Sequence, residues 1–148
     1  MKVLNLNIQI LNNLANKPEY GSGEAAGLDL KAAINNKVIL KSMDYTTVPT
    51  GLIIEIPNGF EGQIRPRSGL AAKNGISVLN SPGTIDSDYR GEIKVILINL
   101  GQHNFHILPG MKVAQLIVAP IYKAKINYVK KIDSKTKRGK KGFGSTGL

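Results

Sequence analysis

A chain of 148 residues with 42% apolar residues is long enough for one domain with a hydrophobic core. It contains no cysteine, which excludes disulfides and thiolate metal sites, and its two histidines argue against a histidine-rich metal centre. The net charge of +10 favours a polyanionic partner or serves solubility alone. Nine of the 20 cations lie between residues 123 and 141, so the positive charge belongs largely to the C-terminal segment.

The first predicted element is a half-buried strand over residues 4–10, where leucine and isoleucine alternate with asparagine and glutamine. The polar residues interrupt the apolar stretch, so we expect no signal peptide here. No segment approaches the roughly 18 apolar residues of a membrane span. The sequence therefore predicts a cytoplasmic protein without a membrane partner.

Short β-rich segments follow, separated by glycine and proline, at residues 37–40, 51–56, 62–66, 76–80, 92–100, 105–108 and 112–122. One short helix is predicted near residues 68–75, ending at Gly75. This pattern is typical of an all-β sandwich, jelly roll or distorted barrel. The apolar pattern stops after about Val129. We therefore expect a β-rich core over residues 1–129 and a flexible, basic, glycine-rich arm over residues 130–148.

Two segments carry side chains suited to catalysis or phosphate binding. Arg67 and Ser68 at the predicted helix start suit a phosphate, although a capped helix with solvated arginines explains them as well. Residues 80–93 predict a turn-rich hairpin. Its acids Asp86 and Asp88 could position water, bind a metal or merely form turns, and Tyr89 at its exit could be ordinary core.

Weaker indications come from isolated polar residues and from the C-terminus. Asp29 and Gln115 each lie between apolar neighbours, where a structural hydrogen bond inside the sheet would account for them. In residues 138–148, Phe143 can stack on a base, while Arg138 and the hydroxyls of residues 145 and 146 can bind phosphate oxygens. The arm is either a lid that orders on a nucleotide or a frayed end.

Together, five segments in this order resemble the five ordered motifs of the trimeric dUTPase family: AGLDLKA (26–32), PRSGLA (66–71), GTIDSDYRGEI (83–93), GMKVAQLIV (110–118) and RGKKGFGSTG (138–147). The resemblance implies a distorted jelly-roll or β-clip barrel with one short helix and a flexible C-terminal arm. It also implies a homotrimer with active sites between subunits. The implied enzyme is a dUTP diphosphatase that hydrolyses dUTP to dUMP and pyrophosphate with Mg²⁺, by water attack on the α-phosphate. This activity would keep uracil out of DNA and supply dUMP for dTMP synthesis.

The same resemblance assigns residue roles. Asp86 would orient the attacking water, and Asp29 would help place a magnesium ion, held mainly by the triphosphate, through its water shell. The residues implied to contact substrate are Arg67, Ser68, Gly69 and Gln115 at the phosphates; Asn80, Thr84 and Ile85 with the backbone of Asp86 at uracil; Tyr89 at the deoxyribose; Lys94 nearby; and Arg138, Phe143, Gly144, Ser145 and Thr146 on the closing arm.

Two alternative functions remain, and one residue departs from the family's motifs. A dCTP deaminase resembles this fold, but it would need an added acid–base apparatus and would not be expected to carry the Gly-Phe-Gly-Ser-Thr lid. A nucleic-acid-binding β module would need surface aromatics interleaved with cations, whereas aromatics are 5% of this chain, so we expect no stable nucleic-acid partner. The fifth motif commonly has glycine where this chain has Lys141, which reduces lid flexibility or adds charge near the triphosphate.

Overall fold

The structure is a computed structural model that describes residues 3–133 and 135–142. Within these residues the chain forms twelve strands and one helix. The strands are β1 (Asn7–Ile10), β2 (Glu19–Tyr20), β3 (Leu28–Lys31), β4 (Val38–Leu40), β5 (Tyr45–Pro49), β6 (Leu52–Glu55), β7 (Phe60–Arg65), β8 (Ile76–Val78), β9 (Gly83–Ile85), β10 (Lys94–Asn99), β11 (Phe105–Ile107) and β12 (Lys112–Pro120); the helix, α1, spans Ser68–Asn74. The all-β prediction with one short helix is confirmed.

The strands form several small antiparallel sheets. The largest has the order β2-β3-β12-β7-β9, and a three-stranded sheet has the order β5-β10-β8. Two-stranded sheets join β1 to β6 and β11 to β4. Strand β12 is the longest and carries the fourth motif. It lies between β3, which carries part of the first motif, and β7, which leads into the second.

The core is built from the inward-facing residues of these strands. Strand β3 buries Leu28 and Leu30, strand β10 buries Val95 and Leu97, and strand β12 buries Leu116. Because side chains alternate between the faces of a strand, this pattern fixes the register of each strand. Each fully buried leucine or isoleucine stabilises the fold by about 1.5–3 kcal/mol relative to an exposed one.

Two buried polar side chains hold the connections between sheets. Asn99 donates from Nδ2 to the carbonyls of Leu40 at 3.0 Å and His103 at 2.8 Å, and its Oδ1 accepts the Gly101 N–H at 2.9 Å. The Thr50 hydroxyl donates to the Ile93 carbonyl at 2.6 Å. These bonds replace those that water would otherwise supply, so both residues are buried without a lost hydrogen bond.

Helix α1 begins shortly after β7 and ends where the sequence predicted. Gly75 follows it with φ of +69°, the left-handed conformation that glycine tolerates best, and its N–H donates to the Ala71 carbonyl at 3.0 Å. The Gly75 carbonyl then accepts the Leu100 N–H at 2.9 Å. The end of α1 is thereby fixed against the β10–β11 connection, which holds the helix in a set position relative to the sheets.

The N-terminal strand is shorter and more exposed than expected. The alternating pattern predicted a strand over residues 4–10, but β1 begins at Asn7 and pairs with β6. On its apolar face Leu6 and Ile8 are half-buried, whereas Leu4 and Ile10 are exposed. Strand β1 belongs to a two-stranded sheet, and Leu6 and Ile8 pack against the buried core, whereas Leu4 and Ile10 are not among the side chains packed against it.

After β12 ends at Pro120, the chain is exposed over residues 122–133 and 135–142 and carries only turns and bends there. Tyr122, Tyr128 and Ile132 are among the exposed apolar side chains. In the part of the chain that the structure describes, no helix has the length and hydropathy needed to span a membrane.

Candidate active site

The first candidate pocket gathers the residues expected to bind phosphates. It has a volume of about 330 Å³ and is called the phosphate pocket below. The lining residues come from the β2–β3 connection, strand β3, the start of α1 and strand β12, and the antiparallel pairing of β12 with both β3 and β7 brings these segments together. They are Gly21, Ala25, Ala26, Gly27, Asp29, Arg67, Ser68, Gly69 and Gln115.

A largely buried carboxylate organises the cations of this pocket. Asp29 on β3 has only 13% of its side chain exposed. Its Oδ1 accepts from Arg67 Nε at 3.1 Å, and its Oδ2 forms an ion pair with Lys112 Nζ at 2.7 Å. Arg67 also donates from Nη1 to the Lys112 carbonyl at 3.2 Å. An acid with so little exposure is costly unless it is paired, and here two cations pair with it. Asp29 therefore fixes Arg67 at the rim of the pocket.

Gln115 fixes the backbone that leads into α1. It lies opposite Asp29 on the neighbouring strand, and its Nε2 donates to the Pro66 carbonyl at 3.0 Å. Gly27 makes room for this side chain, because a Cβ at position 27 would overlap Gln115 Oε1 and lie 3.1 Å from Gln115 Cβ. The expectation of a structural hydrogen bond at Gln115 is met by this contact, which also holds the segment before Arg67 in place.

A further ion pair lies beside this cluster. Lys31 Nζ donates to Glu19 Oε1 from β3 to β2. That hydrogen bond, together with the positive charge of Lys31, lowers the pKa of the Glu19 carboxyl. Because the folded-state pKa is the lower one, any stability from this pair is present above the ordinary glutamate pKa and is lost as the pH falls through the folded-state pKa.

The second candidate pocket, of about 370 Å³, gathers residues expected at the nucleoside and is called the nucleoside pocket below. Strand β9 ends at Ile85, so Asp86 is the first residue of the loop that follows. Its side chain is exposed and borders the pocket, where it is accessible to a water molecule and a substrate. The lining residues are Thr47, Thr84, Ile85, Asp86, Tyr89, Glu92, Lys94 and Ile96.

The loop after β9 contains a turn of its own and is not the hairpin that the sequence predicted. Strand β9 pairs with β7, whereas β10 pairs with β5 and β8, and the described strands include no β9–β10 pair. Instead, the Tyr89 N–H donates to the Asp86 carbonyl at 3.1 Å and closes a turn. The Tyr89 hydroxyl donates to the Glu92 carbonyl at 3.0 Å. Residues 86–93 therefore form a loop between two sheets.

Asn80 lies beside the start of β9, where an added Cβ at Gly83 would lie 3.1 Å from Asn80 Nδ2. Strand β9 is at the edge of the five-stranded sheet, with β7 as its one neighbour in that sheet. An edge strand presents backbone N–H and carbonyl groups that no other strand uses. Together with the exposed amide of Asn80, such donors and acceptors can recognise the edge of a planar base.

The two pockets share no lining residue among those that the structure describes. Arg67, Ser68, Gly69 and Gln115 lie with Asp29 in the phosphate pocket. The expected catalytic acid, Asp86, lies with Thr84, Ile85, Tyr89 and Lys94 in the nucleoside pocket. The expected catalytic acid and the expected phosphate-binding residues therefore do not line a common described cavity in the single chain.

Of the expected arm residues, the structure describes Arg138. Arg138 is exposed and donates from Nε to the Lys141 carbonyl at 3.0 Å. Phe143, Gly144, Ser145 and Thr146 lie outside the described residues.

Residues 3–133 and 135–142 include no cluster of three or more histidine, aspartate or glutamate side chains placed to hold a metal ion. Asp29 is the expected magnesium partner, and each of its oxygens is already paired with a cation. This arrangement fits a magnesium ion carried by substrate phosphates and reached only through water, since magnesium commonly keeps several waters. It does not fit an ion bound directly by Asp29.

Some lining residues were not expected from the sequence. Thr47, on β5, and Glu92, at the end of the loop, border the nucleoside pocket. The Glu92 carboxylate accepts the Gly51 N–H at 2.8 Å and lies 3.8 Å from Lys94 Nζ. Thr47 carries no sequence signal, because its position depends on the β5–β10 pairing between segments far apart in the chain.

Solved structures with the same fold define the class to which this architecture belongs. A mutant dUTPase of Staphylococcus bacteriophage 80alpha with dUpNHpp superposes with a TM-score of 0.88 at 24% identity, over 99% of this chain and 100% of that chain. A mutant dUTPase from phage phi11 of S. aureus, described with a structural Mg(II) ion, has a TM-score of 0.79 at 23% identity, over 86% of this chain and 98% of that one. The fold is that of the dUTPases, and the expected jelly-roll or β-clip class is confirmed.

Sequence comparison gives the family. The dUTPase family model matches residues 14–147. A deoxyuridine 5'-triphosphate nucleotidohydrolase of Brucella melitensis biotype 2 is 58% identical over 132 residues, which are 88% of this chain and 83% of the relative. One of Ehrlichia canis is 52% identical over 149 residues, covering 100% of this chain and 95% of the relative. This chain belongs to the dUTPase family.

Proposed function

We propose that this protein hydrolyses dUTP to dUMP and pyrophosphate, and so keeps uracil out of DNA and supplies dUMP for dTMP synthesis. The observation that carries the proposal is the 52% identity, over the whole chain, to a relative named as a deoxyuridine 5'-triphosphate nucleotidohydrolase. The two pockets support it, because one offers the fixed guanidinium of Arg67 for a triphosphate and the other an accessible carboxylate beside an aromatic ring.

Asp86 is the proposed catalytic residue. Its carboxylate accepts a hydrogen bond from a water molecule and takes a proton as that water attacks the α-phosphorus. The new bond joins the water oxygen to the α-phosphorus, and the bond from the α-phosphorus to the bridging oxygen breaks. Pyrophosphate leaves with the bridging oxygen. Asp86 follows β9 directly, so the end of a paired strand fixes its backbone.

The phosphates are proposed to bind Arg67, Ser68, Gly69 and Gln115, with Lys94 bordering the nucleoside pocket. Fixed positive charge stabilises the charge that develops on the phosphate oxygens without reorganisation at the moment of reaction. Asp29 contributes by holding Arg67, whose Nε lies 3.1 Å from its carboxylate. Pre-oriented cations of this kind lower the entropic cost of aligning the triphosphate with the water.

Specificity is proposed to rest on shape and backbone groups. Asn80 and the backbone from Thr84 to Asp86 recognise uracil, because donors and acceptors that match uracil leave cytosine mispaired. A closely fitting segment also leaves no room for the thymine methyl. Tyr89 packs against C2′ of the deoxyribose and leaves no space for the hydroxyl of a ribonucleotide.

Magnesium is the proposed cofactor, bound to the triphosphate. It would neutralise charge on the phosphate oxygens and make pyrophosphate a better leaving group. Asp29 would contact this ion only through water, since each of its oxygens is paired with a cation.

The active unit is proposed to be a homotrimer. The separation of the two pockets within one chain supports this, because a site that needs both must combine the nucleoside pocket of one copy with the phosphate pocket of another. We propose a cytoplasmic location, where nucleotide substrates are made and used.

The basic arm, residues 130–148 beyond the core of residues 1–129, is proposed to close over such a site. Phe143 would then lie on the uracil, while Arg138, Ser145 and Thr146 would bind the triphosphate. The concentration of cations between residues 123 and 141 supports this role, because the substrate is a polyanion.

A nucleotide panel tests the activity. Pyrophosphate release is measured with dUTP, dCTP, dTTP and UTP, each with magnesium and with a chelator. We expect release from dUTP in magnesium, with much slower release from the other three and a large loss on chelation. Ammonia release from dCTP would instead indicate a deaminase, and no release from dUTP would contradict the proposal.

A further inference from the structure

Gly91 lies directly beneath the ring of Tyr89. A Cβ at position 91 would lie 2.5 Å from Tyr89 Cζ and 2.9 Å from Cε2, and would overlap the phenol oxygen. Real Cβ atoms do not sustain separations under 3.0 Å, so an added Cβ and the ring cannot both keep their places. Gly91 is not among the glycines with positive φ, so space and not backbone conformation requires glycine here.

The far end of the same ring is tied to a fixed acceptor. The Tyr89 hydroxyl donates to the Glu92 carbonyl at 3.0 Å. Glu92 is itself held, because its carboxylate accepts the Gly51 N–H at 2.8 Å and the next residue, Ile93, donates its N–H to the Leu52 carbonyl at 2.8 Å. The Tyr89 side chain thus spans the distance from its own backbone to the Glu92 carbonyl, and its ring lies across residues 90 and 91.

Core packing does not hold this ring in place. Tyr89 is 43% exposed and is absent from the buried cluster and from the side chains packed against it. An exposed tyrosine on a loop would otherwise be free to change rotamer. Its position along the wall of the nucleoside pocket therefore depends on the hydroxyl bond and on the space that Gly91 leaves open.

We propose that Gly91 is a positioning residue for sugar discrimination, acting through Tyr89. The inference rests on the proposed function, in which Tyr89 packs against C2′ of the deoxyribose. By having no side chain, Gly91 lets the phenol lie flat against the loop and keep the separation that admits a hydrogen at C2′ and rejects a hydroxyl. Gly91 itself is not among the residues that line either pocket.

An alanine at position 91 displaces the ring without breaking the core. The atoms that a Cβ would meet are the far end of a partly exposed side chain, which can move at little cost. A displaced ring loses its bond to Glu92 and its fitted distance from C2′. Since a pocket rejects an added hydroxyl by only about a hundredfold through shape alone, we expect discrimination between dUTP and UTP to fall roughly tenfold.

The test compares kcat/KM for dUTP and for UTP in the wild-type protein, Gly91→Ala, Tyr89→Ala and the double variant. We expect Gly91→Ala to lower the dUTP-to-UTP ratio about tenfold. In the Tyr89→Ala background the same substitution should change the ratio no further, because its effect passes through the ring. Gly23→Ala is the matched control, since a Cβ there would meet no described atom within 4 Å.

If Gly91→Ala does not fold, the double variant decides the matter. Tyr89→Ala removes the ring that the added Cβ would meet, so the double variant should fold, and failure of both to fold would overturn the proposal. A further variant tests the anchoring by Glu92. Tyr89→Phe removes the hydroxyl bond to Glu92 and leaves Gly91 in place, and we expect a smaller fall in the same ratio. A wild-type ratio in folded Gly91→Ala would overturn the proposal, as would an equal fall in the Tyr89→Ala background. A wild-type ratio in Tyr89→Phe would overturn the anchoring by Glu92. Failure of the wild-type protein to cleave dUTP would instead refute the proposed function.

Discussion

At the scale of single residues, two acids in one loop have different surroundings. Asp86 borders the nucleoside pocket, whereas Asp88 is exposed and is not among the lining residues. We predict that Asp86→Asn lowers kcat by about 10²- to 10⁴-fold, because the amide cannot take a proton from water. Binding of dUTP should remain, since the amide keeps the size of the acid. Steady-state kinetics and equilibrium binding of a non-hydrolysable dUTP analogue measure the two effects.

Asp88→Asn is the matched comparison, because it makes the same chemical change two residues away. We expect its kcat to stay within a few-fold of the wild-type value. A larger loss in Asp88→Asn than in Asp86→Asn would mean that the wrong acid of the loop has been assigned.

Tyr89 allows a separate prediction about substrate choice. Truncation to alanine opens the space beside C2′, so we expect the ratio of UTP to dUTP activity to rise about tenfold. Competition between the two nucleotides in one reaction measures the ratio directly. The opposing interpretation from the sequence is that Tyr89 is ordinary core, and it predicts an equal loss on both substrates with a lower Tm. The 43% exposure of the side chain argues against that interpretation.

The sequence indicates candidate residues whose side chains carry a charge or a reactive group. It is less informative about glycines whose role is to leave room for a neighbouring side chain. Residue type made Arg67, Asp86 and Asp88 candidates, and the family resemblance then assigned the roles to Arg67 and Asp86. Gly27 and Gly91 could not be selected in this way, because their importance depends on Gln115 and Tyr89 lying against them. Nothing in a linear sequence reveals such a contact.

At the scale of elements, the glycine that ends α1 is the position where a substitution has the clearest expected effect on stability. Gly75 has φ of +69°, and a Cβ there would lie 2.6 Å from the Gly101 nitrogen. We predict that Gly75→Ala lowers the free energy of unfolding by about 1–3 kcal/mol, since both the conformation and the contact with backbone become strained. Urea denaturation monitored by circular dichroism measures the change.

Gly23→Ala again provides the control, because its Cβ would meet no described atom within 4 Å and its φ is not positive. We expect its free energy of unfolding to stay within about 0.5 kcal/mol of the wild-type value. Equal stability of the two variants would show that the left-handed conformation of Gly75 carries no cost to substitution.

The positions of the strands could be predicted where the apolar pattern was strong, because locating a strand does not require knowing which strand it pairs with. The segments that became β6, β10 and β12 were found from their apolar pattern and flanking turns. The loop at residues 86–93 was wrongly predicted as part of a hairpin, because turn residues between two strands indicate a reversal but not the partner. Strand β9 pairs with β7, and β10 with β5 and β8, so long-range pairing overrode the local signal.

At the scale of the whole molecule, motifs that are intact in sequence need not complete a site within one chain. The phosphate pocket and the nucleoside pocket have no described lining residue in common. Order along the chain could not have predicted this division, because it depends on which sheet each motif joins. Under the proposed function, this division makes assembly of subunits a requirement for activity. It also raises the question of which subunit's site the arm closes over.

We predict that the arm acts on a site whose Asp86 belongs to another subunit. The chain is exposed over residues 122–133 and 135–142, and most of its net positive charge lies there. The test uses two inactive proteins: Asp86→Asn with its arm intact, and a variant that keeps Asp86 but lacks residues 138–148. They are unfolded and refolded together in equal amounts, so that trimers assemble at random.

If a closed three-fold ring builds each site from the Asp86 of one subunit and the arm of another, every mixed trimer contains one complete site. Random assembly then makes about three-quarters of the trimers mixed, and about one quarter of all sites active. Each protein refolded alone gives the background, and differently tagged subunits confirm that mixing occurred. If Asp86 and the arm of a site came from the same subunit, no mixed trimer would contain a complete site. Background activity in trimers shown to be mixed would therefore exclude the crossing arm, while leaving the hydrolysis of dUTP by the wild-type protein unaffected.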